Sequence, residues 1–399
     1  MSVRGSTTAA RAAALSITDR LLGWRNRLLA NPAFHRFASG FLLTRPIAQR
    51  SARELFDLVA GFVYSQVLSA CVKLELFEIL AAGPQTQSAL ALRFGMSDEA
   101  AGRLLAAAAS LRLVERRGSD AAGSARYGLG MLGAPLVGNE AVKAMILHHD
   151  TLYADLADPV ALLRGDGPPP TLSGFYPYTA DDAPASAAAL APEQVGSYSQ
   201  LMAASQPLVA AEILDAYSFA SHRRLLDVGG GEGRFLCSVA VRAPQLQMTL
   251  FDLPAVAERA RERFAAAGMA DRAQAVGGNF LSDPLPAGAD IVTLVRVIHD
   301  HDDERALAIL RKAWHVLPPG GSLLLAEPMA GTPGAEAMGD AYFGFYLLAM
   351  GRGRARTADN LMQLLQAAGF DSVRQLGTRI PLQVRVLLAR RSAGGDRTG

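Results

Sequence analysis

A chain of 399 residues, half of them hydrophobic and 19% charged, is long enough for two domains that each bury a core, and too apolar to be a disordered protein. A net charge of +2 excludes a molecule that is basic overall, and two cysteines, Cys71 and Cys237, exclude a disulfide framework and point to a reduced compartment. No apolar run reaches the ~18 residues of a spanning helix; Leu58–Val72 comes nearest but is interrupted by Ser65, Gln66 and Ser69.

Residues 1–53 read as a basic amphipathic extension. Nine arginines between Met1 and Arg53 face one acid, Asp19. Leu21, Trp24 and Leu28 recur at helical spacing beside Arg20, Arg25 and Arg27. Such a segment either lies in an anionic membrane interface or packs on a partner subunit. Its Arg-rich, acid-poor start also imitates an organelle transit peptide, although the cytoplasm, at a membrane surface, is the expected location.

Residues 54–205 read as a helical domain. Leu55, Leu58, Val59 and Phe62 open a helical region over Glu54–Leu80. Thr86 is placed to cap Gln87–Phe94, and Ser97 to cap a helix through Leu111. Leu113–Arg117 and Tyr127–Leu129 form a hairpin, completing a winged-helix outline. The helix in the recognition position carries only Arg103 as a cation, which suits protein contact better than nucleic acid. Ala141–Leu163 is a further helix. Gly165–Glu193, with Phe175, Tyr176 and Tyr178, reads as a lid or substrate-lining segment.

Residues 206–391 alternate strand and helix, the pattern of a doubly wound α/β domain. Strands are expected at Arg224–Val228, Met248–Phe251, Ala273–Val276, Asp290–Val295, Gly321–Ala326, Ser372–Leu376 and Leu382–Ala389. Helices are expected at Arg234–Arg242, Val256–Ala266 and Asp303–Leu317. Residues 392–399 read as a disordered tail.

The first of these strands runs through Asp227 into Gly229, Gly231 and Gly233 and then a helix. Glycines belong where backbone turns tightly and a ligand comes close. The spacing lacks the third glycine of the dinucleotide fingerprint, since Arg234 stands there, and suits a nucleoside with an amino-acid tail. The next strand ends in Asp252-Leu253, about 20 residues on, where one carboxylate can accept both hydroxyls of a ribose. Asn279 and Phe280, at the third strand end, are placed for the edge and face of an adenine, or serve as turn chemistry.

The fourth strand leads into Arg296 and then His299-Asp300-His301. Methyl transfer to a hydroxyl needs a proton acceptor, and histidine titrates near operating pH. Glu327, at the fifth strand end, projects into the same crevice and can hold the other ring nitrogen. A metal at His299 and His301 is set aside, because Asp302, Asp303 and Glu304 look like the charged first turn of a helix.

These residues resemble the two-domain small-molecule O-methyltransferases over about Leu55 to the end. The family's glycine motif, Phe-Asp-Leu-Pro and His-Asp-x-x-Asp-Glu stand at 225–233, 251–254 and 299–304. The resemblance implies a Rossmann-like seven-stranded methyltransferase domain and a winged-helix dimerisation domain, hence a homodimer. It implies S-adenosyl-L-methionine as cofactor, held at Gly229 and Asp252, with His299 as base and Glu327 as its partner. Tyr198, Met202 and Ser205 fall where the family lines the pocket for cofactor and substrate. The family's adenine-binding acid is Asn279 here, its lysine before the base is Val295 with Arg296 beside it, and its second flanking acid is Ala358. That pattern implies a histidine held less tightly, or held by Glu327 alone.

Residues 31–46, 54–66 and 349–353 further resemble the carotenoid O-methyltransferases of purple phototrophic bacteria. That resemblance implies a lipophilic acceptor, a tertiary hydroxyl on a carotenoid of the demethylspheroidene or hydroxyneurosporene type, and gives the Arg/aromatic arm a membrane to meet. The other readings are a phenol or polyketide O-methyltransferase, a winged-helix regulator that binds the cofactor without chemistry, and a dinucleotide oxidoreductase.

Overall fold

The computed structural model describes residues 16–121, 123–175 and 206–392. Helix α1 (Ile17–Leu29) opens with a reciprocal cap: the Ser16 hydroxyl accepts the Asp19 amide at 3.1 Å, and the Asp19 carboxylate accepts the Ser16 amide at 3.0 Å. It buries none of its residues, leaving Ile17, Leu21 and Trp24 exposed. After α2 (Pro32–Gly40), helix α3 (Arg45–Lys73) starts earlier than the expected Glu54, because Pro46 pre-sets its first turn. By length and composition α3 can cross a membrane, unlike the run-length expectation; Ser65, Gln66 and Ser69 interrupt an apolar run but not a helix. Its last turns bury Ser69, Cys71 and Val72 in the core of the helical domain.

Glu75, at φ 53°, breaks the expected helix to Leu80 in two, and α4 (Leu76–Ala81) follows. Thr86 and Ser97 accept the amides of Ala89 and Ala100, starting α5 (Gln87–Phe94) and α6 (Asp98–Ser110) where their hydroxyls dictate. The wing is a small antiparallel sheet, with β3 (Ala125–Leu129) between β1 (Gln85–Thr86) and β2 (Val114–Ser119). Arg103 on α6 pairs with Glu99 at 3.1 Å. The expected helix Ala141–Leu163 is α7 (Glu140–Asp155) and α8 (Pro159–Arg164), since Asp158-Pro159 caps and restarts the chain. The first amides of α9 (Thr171–Phe175) donate to the Asp155 carboxylate. The rest of the expected lid lies outside the described residues, as do Tyr198, Met202, Ser205 and residues 393–399.

The second domain includes helix α10 (206–216), which buries Val209, Ala210 and Ile213 in its core. Its seven-stranded sheet has the order β6-β5-β4-β7-β8-β10-β9. Strands β4 (Arg224–Val228), β5 (Gln247–Asp252), β6 (Ala273–Gly277), β7 (Ile291–Val295) and β8 (Ser322–Glu327) are parallel, and β10 (Arg385–Arg390) runs antiparallel to β8 and to β9 (Ser372–Leu376). The last strand starts at Arg385 rather than Leu382, because a turn at Ile380–Gln383 comes first. Every residue of β7 and β8 is buried, as a parallel sheet covered on both faces requires. Helices α11 (Arg234–Arg242), α12 (Pro254–Ala266) and α13 (Asp303–Val316) connect the strands. A π-helical turn at Ala337–Tyr342 leads into α14 (Phe343–Met350), and α15 (Ala358–Ala367) precedes β9. Strand order reverses between β4 and β7, so a crevice opens beyond their carboxyl ends.

Candidate cofactor and catalytic site

At that crevice Gly229, Gly231 and Gly233 hold φ angles of 69°, 59° and 78°, a region that side chains other than glycine's adopt at a cost. Space forbids side chains too. A Cβ on Gly229 would stand 2.7 Å from Val297, and one on Gly233 would stand 2.5 Å from Phe264. Above Gly231 nothing lies within 4 Å, so a ligand can meet the backbone there. The Gly231 amide donates to one oxygen of Asp252 at 2.8 Å, and the Leu253 amide to the other at 2.7 Å. Each oxygen keeps acceptor capacity for a diol. Burial pushes the Asp252 carboxyl up to about 6 against those two bonds. Beneath the loop, Asp227 accepts the Thr293 hydroxyl at 2.6 Å, while its second oxygen, Oδ2, has no partner among the described residues. Burial pushes the Asp227 carboxyl to about 7. An open glycine backbone, a two-oxygen acceptor and an unmatched acid fit a nucleoside bearing an ammonium group.

The Asn279 carbonyl oxygen accepts the Leu281 amide at 2.9 Å, and its own amide donates to Asp283 at 2.8 Å. Asn279 therefore caps its own turn, and only its side-chain NH₂ is left to offer an adenine. Phe280 reaches the glycine loop, lying 3.6 Å from where a Gly229 Cβ would be, and meets His301 edge-on at 5.6 Å. Arg296 turns the chain after β7 at φ 58°, its amide bonded to Ala326 at 2.8 Å. Its charge acts on Tyr342, opposing the burial that pushes that hydroxyl up to about 12.

His299 sits on the 3₁₀ turn Ile298–Asp300 and is buried. Its Nδ1 donates to Glu327 Oε2. The other oxygen of Glu327 accepts the amides of Val297 at 3.0 Å and Ile298 at 2.7 Å, so the carboxylate is fixed from two sides. A second carboxylate also reaches the ring: Asp300 Oδ1 lies 3.0 Å from Nε2. Ala358, which the resemblance aligns with a family acid, is buried at the start of α15. Burial alone would lower the imidazole's pKa, but Asp300 and Glu327 outweigh it and raise it to about 10. The His-Asp pair was visible in the sequence, although nothing there marked which nitrogen the acid would face. Asp302 caps α13 through the Arg305 amide at 2.9 Å, in keeping with its reading as helix chemistry.

Two further contacts had no signal in the sequence. His148 and His149 on α7 bond the hydroxyls of Tyr346 and Tyr342 at 2.9 and 2.7 Å. These bonds fasten the helical region to α14 and to the π turn before it, beside the 3₁₀ turn that carries His299.

An O-methyltransferase domain description matches residues 153–371, and an O-methyltransferase dimerisation domain matches residues 56–138. The chain is 41% identical to the demethylspheroidene O-methyltransferase of Cereibacter sphaeroides over 348 residues, 87% of this chain and 89% of that one. It is 40% identical to the protein of the same name from Rhodobacter capsulatus, over 92% of this chain and 88% of the other. Human N-acetylserotonin methyltransferase, solved in complex with SAM, superposes with a TM-score of 0.69 at 25% identity, covering 86% of this chain and 98% of that one.

Proposed function

The chain belongs to the S-adenosylmethionine-dependent O-methyltransferases, and from that premise we propose that it methylates the tertiary hydroxyl of a hydroxylated carotenoid of the demethylspheroidene or hydroxyneurosporene type. The near full-length identity to two demethylspheroidene O-methyltransferases carries this reading. A phenol or polyketide acceptor is the competing outcome, and turnover of hydroxylated carotenoids against simple phenols separates the two.

Gly229, Gly231 and Gly233 cradle the cofactor, Asp252 takes its ribose hydroxyls, and Leu253 fixes Asp252. Asp227 faces its ammonium end from beneath the loop, while Phe280 and the Asn279 side chain meet its adenine. Arg296 supplies positive charge at the same strand end. Bound there, S-adenosylmethionine supplies a methyl group on a positively charged sulfur. Tyr198, Met202 and Ser205 are assigned to the substrate pocket on resemblance.

With Nδ1 held by Glu327, Nε2 of His299 is the nitrogen that faces the acceptor hydroxyl, once Asp300 yields its place to the substrate. A tertiary alcohol is a weak acid, so Nε2 would take its proton as the oxygen accepts the methyl that the bound cofactor would supply, leaving the cofactor demethylated and neutral at sulfur. Alignment of oxygen, methyl and sulfur supplies much of the rate. The imidazolium that results is held at Nδ1 by the Glu327 carboxylate.

Removing Asp252 tests the cofactor assignment. Bonds to a charged group are worth roughly 1.5–3 kcal/mol each, so Asp252→Ala raises the Kd for S-adenosylmethionine by one to two powers of ten or more. Titration calorimetry measures it, and an unchanged Kd would remove Asp252 from the site.

We place the homodimer contact at residues 56–138 and the adjoining face of α3, where Leu55, Phe56, Leu58, Val59 and Phe62 are exposed. Upstream, α1 leaves its apolar side free and carries Arg20, Arg25 and Arg27, and we assign it to peripheral contact with an anionic membrane, the reservoir of a lipophilic substrate. The full chain should sediment with phosphatidylglycerol vesicles and be released by salt, and a chain lacking residues 1–43 should not. If that deletion instead dissociates the dimer with no effect on vesicle binding, the arm packs on the partner.

A further inference from the structure

We propose that Arg356 is the positioning residue of the catalytic pair: a buried guanidinium that locks the turn carrying His299 to the strand end carrying Glu327. This inference rests on the reading of His299 as the base.

A cation inside a protein needs every donor matched, and Arg356 is only 3% exposed. Its Nη1 donates to the Ile298 carbonyl at 2.9 Å, its Nη2 to the His301 carbonyl at 2.7 Å, and its Nε to Asp303 at 2.8 Å. These acceptors bracket His299 along the chain. The carbonyl of His299 itself accepts the Arg354 amide at 2.7 Å. The segment passes so close that a Cβ on Gly353 would stand 3.0 Å from that carbonyl oxygen. Arg352 and Arg354 add ion pairs to Asp302 and Asp303.

The other end of the connection runs through the main chain of Arg356. Its carbonyl accepts the Ala330 amide at 3.0 Å, and Ala330 pairs with Thr357 in a short parallel bridge. Ala330 lies just past Glu327 on the same emerging strand end. One residue thus holds both elements whose side chains must meet. Glu327 orients the imidazole ring, and Arg356 fixes the backbone from which the ring projects. A planar fork carries its donors on three separate nitrogens and so reaches acceptors set apart on both sides of His299, whereas a lysine would have to meet them all from one nitrogen.

The test is Arg356→Lys in the full chain, with kcat, cofactor Kd, thermal melting and the pH dependence of kcat/KM measured together. Misplacing a catalytic group by about 1 Å costs on the order of 10²-fold, so kcat should fall by roughly 10–100-fold. The Kd for S-adenosylmethionine should stay that of the wild type. As His299 loosens from its two carboxylates, the rise of kcat/KM with pH should move to lower pH. A variant that keeps wild-type kcat and an unmoved pH limb overturns the proposal. So does a variant whose kcat and cofactor affinity fall together with the limb unmoved, since that marks a merely structural residue. Should Arg356→Lys fail to fold, Asp303→Asn decides: at a half-exposed position it strips the charge that pairs with Arg356 Nε and with Arg354, leaves both carbonyl bonds of Arg356 in place, and should give a smaller change in the same direction. His299→Ala, run alongside, separates the two ideas. Normal turnover in that variant ends the base assignment, whereas its collapse beside an unaffected Arg356→Lys ends only this one.

Discussion

Replacing His299 with alanine lowers kcat by roughly 10²–10⁴-fold, the usual share of a general base, and leaves cofactor affinity unchanged. The two effects separate because the groups are built on different strands. The cofactor cradle is the loop after β4 with Asp252 at the end of β5, while His299 stands beyond β7. Alanine also leaves the buried Glu327 still bonded to the Val297 and Ile298 amides, so the fold loses one partner of that carboxylate and not its framework. Calorimetry with S-adenosylmethionine and a methyl-transfer assay measure the two halves, and near-normal turnover would sink the assignment. In the wild type the sign of the pH dependence follows from charge. Only neutral imidazole accepts a proton, and two carboxylates raise the histidine's pKa to about 10 despite burial. In the free enzyme that shift favours imidazolium at neutral pH, and kcat/KM, which reports the free enzyme, therefore climbs with pH through the neutral and alkaline range.

Glu327→Gln should be nearly as damaging, for a different reason. The carboxylate accepts on both oxygens: one takes the two backbone amides and the other takes the proton on Nδ1. Glutamine has one carbonyl oxygen. If that oxygen keeps the backbone amides, its NH₂ faces Nδ1 and donates there. The ring proton is then driven to Nε2, and the nitrogen that must accept the substrate's proton is blocked. In serine proteases the comparable acid-to-amide change costs about 10⁴ in kcat through the same wrong tautomer. A fall of roughly 10²–10⁴-fold is expected here. Losing one of the two carboxylates also moves the pH limb downward, since less negative charge holds the imidazolium. Unchanged kcat with an unmoved limb would show that Glu327 is structural alone.

How much of this was legible in the sequence depended on whether the signal was local. Thr86, Ser97 and Asp302 each start a helix through their own side chains, so residue type and spacing were enough to place them. Strands β4, β5 and β8 are legible as short, mostly apolar runs with an acid, Asp227, Asp252 or Glu327, at or beside the carboxyl end. Errors came where one residue overrides a pattern. Glu75 breaks a helix by its backbone angle, Pro46 starts one early, and Asp158-Pro159 splits another. At the site, Asn279 looked like a base-recognition residue, yet half of its side chain serves the turn it sits in. Asp300 and Arg356 were in plain view as letters. What they bond is set by a 3₁₀ turn and by a segment more than fifty residues away, which no local pattern encodes.

The central claim, methyl transfer to a carotenoid hydroxyl, has one direct measurement. The purified full chain is incubated with hydroxylated carotenoid in vesicles and S-adenosylmethionine carrying an isotopically labelled methyl, and the extracted pigment is examined by mass spectrometry. The account predicts that the labelled methyl appears on the oxygen of the tertiary hydroxyl in the wild type and that this product is lost in His299→Ala. Unlabelled carotenoid, recovered from an enzyme that methylates a simple phenol in the same preparation, would contradict it.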